Sequence, residues 1–195
     1  MNRTSSHARI LRMVQIALFA ALVMVLQVLS TVIPMPYVKI TLTLIPVVLG
    51  GVYFGKGAGT FLGAAFGLIV TFFTVSGLDG GAYMMFQARP IMTVFICMAK
   101  GMLAGFVSAW VFEILQAKSS RTVSILLAAA AAPIVNTAFF CVFLFTFYPS
   151  ILQAWAGGTN VWLYTLTVLV GINFVVEFLM NVILCPVIGI NVKLK

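Results

Sequence analysis

The sequence predicts an all-α integral membrane protein with six transmembrane helices and with both termini in the cytoplasm. Of its 195 residues, 63% are hydrophobic and only 7% are charged, whereas soluble domains have about 25% charged residues. Apolar segments near the length of about 20 residues that spans a bilayer follow one another with short connections. Lys and Arg residues concentrate in the termini and in alternate connections. These three observations exclude a soluble globular domain.

Proline residues set several bounds of the predicted helices, which together form a single membrane domain over residues 1–195. The first helix ends before Pro34, because proline lacks the backbone N–H that a helix interior needs. The fourth helix begins at Pro90, since proline favours the first helical position. The fifth helix ends before Pro149. The six helices are predicted at residues 13–33, 40–54, 58–75, 90–115, 121–147 and 162–190.

The basic residues orient these helices, because cytoplasmic connections carry an excess of Lys and Arg. With the N-terminus inside, eight basic residues fall on the cytoplasmic side and two on the outer side. The eight are Arg3, Arg9, Arg12, Lys56, Lys118, Arg121, Lys193 and Lys195, and the two are Lys39 and Arg89. The longest loops, predicted at residues 76–89 and 148–161, then face outward.

The motif content argues against an enzyme. The chain has no Gly-x-x-x-x-Gly-Lys-Ser/Thr motif and no His-Glu-x-x-His motif, and its sole histidine, His7, lies in the N-terminal tail. The three cysteines lie in apolar runs, so a disulfide framework is not expected. We expect no metal site and no cofactor. Topology explains the few basic residues better than a nucleic-acid partner does.

Polar residues at membrane depth form the main candidate site, because an ionisable group in hydrocarbon is costly and usually functional. Lys100, Asn136 and Asn173 lie ten or eleven residues from the outer ends of their helices, roughly 15–16 Å deep at 1.5 Å per residue. Glu177 follows Asn173 by one turn on the same face. Two interpretations stay open. Either Lys100 and Glu177 form a structural ion pair, or the four residues form the floor of a solute pocket open to the outside.

Residues near the outer ends of the helices are candidates for the mouth of that pocket. Gln87 and Arg89 directly precede the fourth helix, and the guanidinium fork of Arg89 suits a carboxylate or a phosphate. Contact of Arg89 with a lipid headgroup at the interface is the alternative. Trp155 and Trp162 lie around the outer end of the sixth helix, where aromatic residues anchor membrane proteins. Either tryptophan is also a candidate lid over a solute.

Small residues recur every four positions on three helices, and this spacing lets two helix backbones approach closely. The glycines of the pattern are Gly59, Gly63 and Gly67 on the third helix and Gly101 and Gly105 on the fourth. We interpret them as internal helix packing. Ala17 and Ala21 repeat the spacing on the first helix, so its small face docks either inside the protein or onto a partner subunit.

Four segments carry a resemblance to a known family. They are Ala17-xxx-Ala21 after a basic tail, Pro46–Gly55 followed by Gly59-xxx-Gly63, Ala88-Arg89-Pro90, and Pro133–Thr137. In this order, and over nearly the whole chain, they resemble the S-component, the substrate-binding subunit, of an energy-coupling-factor (ECF) vitamin transporter. The stretch Pro133–Thr137 followed by Phe139-Phe140 looks most like the pantothenate group.

The resemblance implies a high-affinity substrate-capture subunit of an ECF-type ABC importer, in several passes through a bacterial cell membrane and in contact with its lipid. The solute would be a small water-soluble vitamin, with pantothenate expected first. The residues expected to bind it are Arg89, Gln87, Lys100, Asn136, Asn173, Glu177, Trp155 and Trp162. The charges of Arg89, Lys100 and Glu177 would leave a net positive cavity, which suits a carboxylate.

The resemblance also implies partners. Ala17 and Ala21 are expected to dock on a transmembrane coupling protein, and two separate ATPase subunits would hydrolyse ATP. The alternatives are an S-component for folate, a pyridoxine-type vitamin or riboflavin, and a self-sufficient secondary transporter. A secondary transporter is expected to contain internal repeats. The glycines that recur every four residues across helices two and three, namely Gly51, Gly55, Gly59, Gly63 and Gly67, have no counterpart in helices five and six.

Overall fold

A computed structural model describes residues 3–32 and 42–192 of the chain. All regular secondary structure in these two ranges is helical, which confirms the predicted all-helical class. A π-helical segment, Thr165–Leu169, lies between the last two α-helices. The α-helices are α1 (Arg3–Val32), α2 (Leu44–Phe54), α3 (Lys56–Val75), α4 (Gly80–Ala88), α5 (Pro90–Gln116), α6 (Arg121–Phe147), α7 (Pro149–Ala156), α8 (Val161–Tyr164) and α9 (Gly171–Asn191).

Within residues 3–32 and 42–192, five helical stretches are long and apolar enough to cross a membrane. They are His7–Ser30 within α1, the whole of α3, α5 and α6, and Val161–Asn191. The second predicted span corresponds to α2, an apolar helix of 11 residues, which is roughly 16 Å long at 1.5 Å per residue. Residues Leu44 through Val52 of α2 are all buried, and α2 packs against α1, α3, α5, α6 and α9. It therefore forms the centre of the bundle.

The first two helices differ from their predicted bounds. α1 begins at Arg3 rather than at Met13, because the basic tail contains no proline or glycine that would interrupt it. α2 begins at Leu44, and the predicted start at Ile40 lies outside the described residues. The predicted end of the first helix at Ile33 also lies outside them, as do the topology assignments of Lys39, Lys193 and Lys195.

The two predicted outer loops each contain a short helix. In the first loop, Asp79 caps α4 by accepting a hydrogen bond from the Ala82 N–H at 3.3 Å. In the second, Pro149 occupies the first turn of α7, and Gly157 ends that helix in the left-handed conformation at φ 57°. The predicted loops at residues 76–89 and 148–161 are therefore wrong in part. The cap and proline signals for α4 and α7 are present in the sequence.

The last predicted helix corresponds to α8, the π-helical segment and α9 in succession, so its regular hydrogen bonding is interrupted. Asn160 caps α8 by accepting from the N–H groups of Trp162 at 2.9 Å and Leu163 at 3.4 Å. The Val170 N–H then bonds to the Thr165 carbonyl at 2.8 Å, five residues back, which widens the helix into the π-helical segment. This segment adds a residue to one turn and so rotates α9 relative to α8.

The glycines of α3 face the main chain of α5, as the packing interpretation predicts. A Cβ atom on Gly59 would lie 2.5 Å from the Gly105 carbonyl oxygen, and one on Gly67 would lie 2.7 Å from the Cys97 carbonyl oxygen. A Cβ on Gly63 would overlap the Gly101 carbonyl in the same way. We call this contact the glycine seam. It brings α3 and α5 into backbone contact because neither helix has a side chain in the way.

Candidate solute-binding site

A cavity of about 420 Å³ lies among α3, α4, α5, α6, α7 and α8. It lies toward the end of the bundle that carries α4 and α7, away from the beginning of α3 and the end of α5. Its residues come from six helices and from the cap of α4. The lining consists of Val70, Asp79, Gly81, Ala82, Met85, Thr93, Ile96, Cys97, Lys100, Phe140, Trp155 and Tyr164.

Two opposite charges face this cavity. The Lys100 ammonium group lies 5.3 Å from the centroid of the Phe140 ring and 5.8 Å from that of Phe66, so two aromatic faces stabilise its charge. The Asp79 carboxylate, which caps α4, is the anion of the lining. Both side chains are only partly buried. The cavity can therefore offer a cation to an anionic group and an acceptor to hydroxyl groups.

A small hydrogen-bond network holds the wall of the cavity at the start of α5. The Thr93 hydroxyl donates to the Arg89 carbonyl at 2.9 Å, and the Tyr148 hydroxyl lies 2.8 Å from the Thr93 oxygen and donates to the same carbonyl at 3.2 Å. Thr93 is 1% exposed and Tyr148 is 2% exposed. Because Tyr148 follows α6, the network joins the α4–α5 junction to the α6–α7 junction.

Trp155 brings α7 against α4 at the edge of the cavity. A Cβ atom on Gly81 would lie 3.5 Å from Cζ2 of Trp155, so the indole ring packs over the first turn of α4. Gly81 leaves room for the ring because it has no side chain of its own. The two short helices thus meet above the cavity through one aromatic contact.

Of the eight predicted solute-binding residues, Lys100 and Trp155 line the cavity. Gln87 is exposed near the end of α4. Arg89 is exposed and lines a different, apolar groove, together with Pro90, Ile91, Met92, Phe95 and Phe143. Trp162 is 66% exposed, and its ring stacks on Phe145 with a centroid distance of 4.5 Å.

The other predicted floor residues, Asn136, Asn173 and Glu177, are not among the residues that line the cavity. Asn136 is 9% exposed and lies one helical turn before Phe140 on α6. Its buried Oδ1 has no hydrogen-bond partner in the described part of the chain. On α9, Asn173 is partly buried, and Glu177 is 9% exposed and accepts through its main-chain carbonyl from the Asn181 amide at 2.8 Å.

Sequence reasoning missed three polar residues of the lining: Asp79, Thr93 and Tyr164. Asp79 falls within the loop predicted at residues 76–89, but its position before Gly80 is typical of a helix cap. Thr93 had a detectable signal as well, since it lies two turns before Lys100 on one face of α5. No signal in the sequence identifies Tyr164, because its position depends on the π-helical segment that interrupts the helix before α9.

Ala17 and Ala21 lie on the exposed side of α1. The opposite side packs on the bundle through Ala20, which is 8% exposed, and Val23, which is fully buried. Only 11% of the residues in the most apolar window of this span are buried. The small face is therefore accessible along the bundle surface.

Comparison with protein families relates the chain to known proteins. Residues 11–189 match the family described as ECF transporter, substrate-specific component. The matched range extends from the third turn of α1 to the last turn of α9 and includes the whole lining of the cavity. No curated protein and no solved structure matches the chain.

Proposed function

The chain belongs to the family of ECF transporter substrate-specific components, and we propose that it captures a small water-soluble vitamin, pantothenate, in the cavity between Lys100 and Asp79. Family membership makes the chain a substrate-binding transport subunit rather than an enzyme or a self-sufficient secondary transporter. It also implies association with an ECF module, which contains a T component and ATPases.

The size and the charges of the cavity support a small, polar, anionic solute. Ligand pockets commonly measure about 300–1,000 Å³, and this cavity of about 420 Å³ is near the lower end of that range. The Lys100 ammonium group is a partner for a carboxylate. Asp79 can accept from the hydroxyl groups at the other end of pantothenate, whose two methyl groups would contact Met85 and Ile96. The presence of one cation, Lys100, and one anion, Asp79, in the lining of the same cavity is the observation that carries this proposal.

The other vitamins fit this pair of charges less well. Riboflavin and pyridoxine have no carboxylate, so either would leave Lys100 desolvated without an anionic partner. Folate has two carboxylates and a much longer body, whereas the lining contains one cation. The lining contains one cation, Lys100, and one anion, Asp79, whereas the net positive cavity expected from the sequence also counts Arg89, which lines a separate apolar groove.

We also propose Asn136 as part of the site, at a position below Phe140 and beneath the floor of the cavity. Its buried oxygen would gain a hydrogen bond from a solute that reaches below Phe140. Arg89, Gln87, Asn173, Glu177 and Trp162 stay predictions from the sequence. Ala17 and Ala21 are proposed to meet the transmembrane coupling protein, which is the T component. Their exposure on α1 supports this role.

Calorimetry on the purified chain tests the site. Lys100→Met should weaken pantothenate binding by roughly 10- to 150-fold, since a lost charge-assisted hydrogen bond is worth about 1.5–3 kcal/mol. Asp79→Asn keeps a good helix cap and should weaken binding by removing only the negative charge. Lys118→Met, outside the cavity, is the matched control. Equal affinity of the chain for pantothenate and riboflavin would contradict the proposal.

A double variant separates binding from structural pairing. If Lys100 serves only as a structural partner of Glu177, Lys100→Met should destabilise the protein, and adding Glu177→Gln should restore both stability and binding. If Lys100 contacts the solute, the double variant should fold and still bind weakly. Native mass spectrometry of the same samples identifies any vitamin retained from the cell. Full binding by the double variant removes Lys100 from the site.

Cysteine labelling tests the proposed orientation. In a chain whose three native cysteines are replaced by alanine, Thr159→Cys should react with an impermeant maleimide on intact cells. Ser119→Cys, in the connection at the opposite end of the bundle, should react only after permeabilisation. The reverse result would turn the cavity toward the cytoplasm and contradict capture from outside.

A further inference from the structure

A second concavity, of about 610 Å³, lies on the outer surface of the bundle where α5 begins. It shares no lining residue with the solute cavity, because it lies against a different face of α5. We call it the α5 groove. Its lining consists of Arg89, Pro90, Ile91, Met92, Phe95 and Phe143.

The walls of the α5 groove are apolar and open to the membrane. Ile91 is 88% exposed and Phe95 is 52% exposed, both on a helix long and apolar enough to span a bilayer. Phe95 lies 5.9 Å from Phe143, measured between ring centroids. Phe143 in turn stacks between Phe139 and Phe147 at 4.4 Å and 5.4 Å. The α6 side of the groove is thus a continuous aromatic surface, which suits a hydrocarbon chain.

Arg89 is the charged residue of this lining, and its main chain is held in place. Its carbonyl accepts from the hydroxyl groups of Thr93 and Tyr148. Its side chain is exposed, and within residues 3–32 and 42–192 the guanidinium group makes no hydrogen bond or ion pair. Arg89 directly precedes α5, a helix long and apolar enough to span a bilayer. We therefore expect this cation at the level where a bilayer meets water.

We propose that the α5 groove binds one anionic phospholipid. Its phosphate pairs with the Arg89 guanidinium group, and one acyl chain lies along Ile91, Phe95 and Phe143. A cation at the edge of an apolar groove, on a helix long and apolar enough to span a bilayer, is complementary in charge and polarity to such a lipid. A peptide or a water-soluble anion would match only one of these two parts.

Lipid retention by the full chain tests the headgroup contact. The chain is purified in non-ionic detergent, given equal amounts of phosphatidylglycerol and phosphatidylcholine with the same acyl chains, and examined by native mass spectrometry. One phosphatidylglycerol should be retained preferentially. Arg89→Gln should lower its retention about tenfold or more, Arg89→Lys should lower it less, and Lys118→Gln should leave it unchanged. Equal retention of the two lipids, or unchanged retention in Arg89→Gln, overturns the proposal.

A second pair of variants tests the acyl-chain contact and excludes phosphate binding alone. Phe95→Ala should reduce retention, whereas Phe106→Ala, at another exposed phenylalanine of α5, should not. Inorganic phosphate in excess should fail to displace the lipid, because it has no acyl chain to occupy the groove. Unchanged retention in Phe95→Ala, or full displacement by phosphate, overturns the proposal. Circular dichroism of every variant checks that the helices are intact.

Discussion

The glycine seam and the small face of α1 have the same sequence pattern and opposite positions in the structure. On α3, Gly59, Gly63 and Gly67 pack against the main chain of α5 inside the bundle. On α1, Ala17 and Ala21 face outward, and nothing in the described part of the chain covers them. Small residues at intervals of four therefore identify a face that a second backbone can approach. They do not identify which backbone, or whether it belongs to the same chain.

The neighbours of each helix explain the difference. α3 follows α2 after a single residue, Gly55, which has a left-handed φ of 85°. That tight turn lays α3 beside the central helix α2, and α5 covers the other side. α1 is longer and contacts the bundle along one stripe that includes Ala20 and Val23. Its opposite side is left for lipid or for another subunit.

Breaking the glycine seam should have the largest effect on the fold. Gly63→Leu should prevent α3 from reaching α5, because even a Cβ atom at this position overlaps the Gly101 carbonyl. Overpacking of this kind costs about 1–3 kcal/mol and occasionally more, so we expect a large loss of thermal stability in detergent. Gly57→Leu is the matched control, since a Cβ there has no neighbour within 4 Å. Equal melting temperatures of the two variants would mean that the seam is not tight.

Crowding the small face of α1 should stop assembly and leave the isolated chain intact. Ala17→Trp and Ala21→Trp should each abolish co-purification with the T component and the ATPases, because a bulky ring holds the partner backbone away. Vitamin affinity and thermal stability should not change. Leu22→Trp, about 100° around the helix from Ala21, is the control and should still assemble. Loss of vitamin binding in a folded Ala17→Trp protein would show that the two surfaces are not separate.

The ion pair at one end of the glycine seam should contribute the least. The Lys56 ammonium lies 2.9 Å from the Glu113 carboxylate, and both side chains are 41% exposed. Exposed ion pairs are worth about 0–1 kcal/mol, so Glu113→Gln should change the free energy of unfolding by no more than that. The difference should shrink further in high salt. A loss comparable to that of Gly63→Leu would assign the α3–α5 contact to charge rather than to backbone packing.

The solute cavity was only partly predictable from the sequence. The sequence identifies Lys100 because an ionisable residue at membrane depth is rare and usually functional. It identifies Trp155 because a tryptophan near the end of a spanning helix is a recognisable signal. Asp79 and Tyr164 were missed because their positions depend on short or interrupted helices. Depth counted along ideal helices does place Asn136 and Lys100 at one level. It does not specify how each helix is rotated about its axis.

Arg89 shows most clearly what only the tertiary structure decides. It lies eleven residues before Lys100, about three helical turns, so a helix continued through both would put them on one face. At Arg89 the backbone instead has φ −147° and ψ 83°, and Arg89 is among the residues of the α5 groove rather than of the solute cavity. Composition and apolar segment length determined the membrane class, the helical class and the positions of the long helices. The contacts between helices decided which side chains meet, because rotation and junction geometry depend on neighbours distant in the chain.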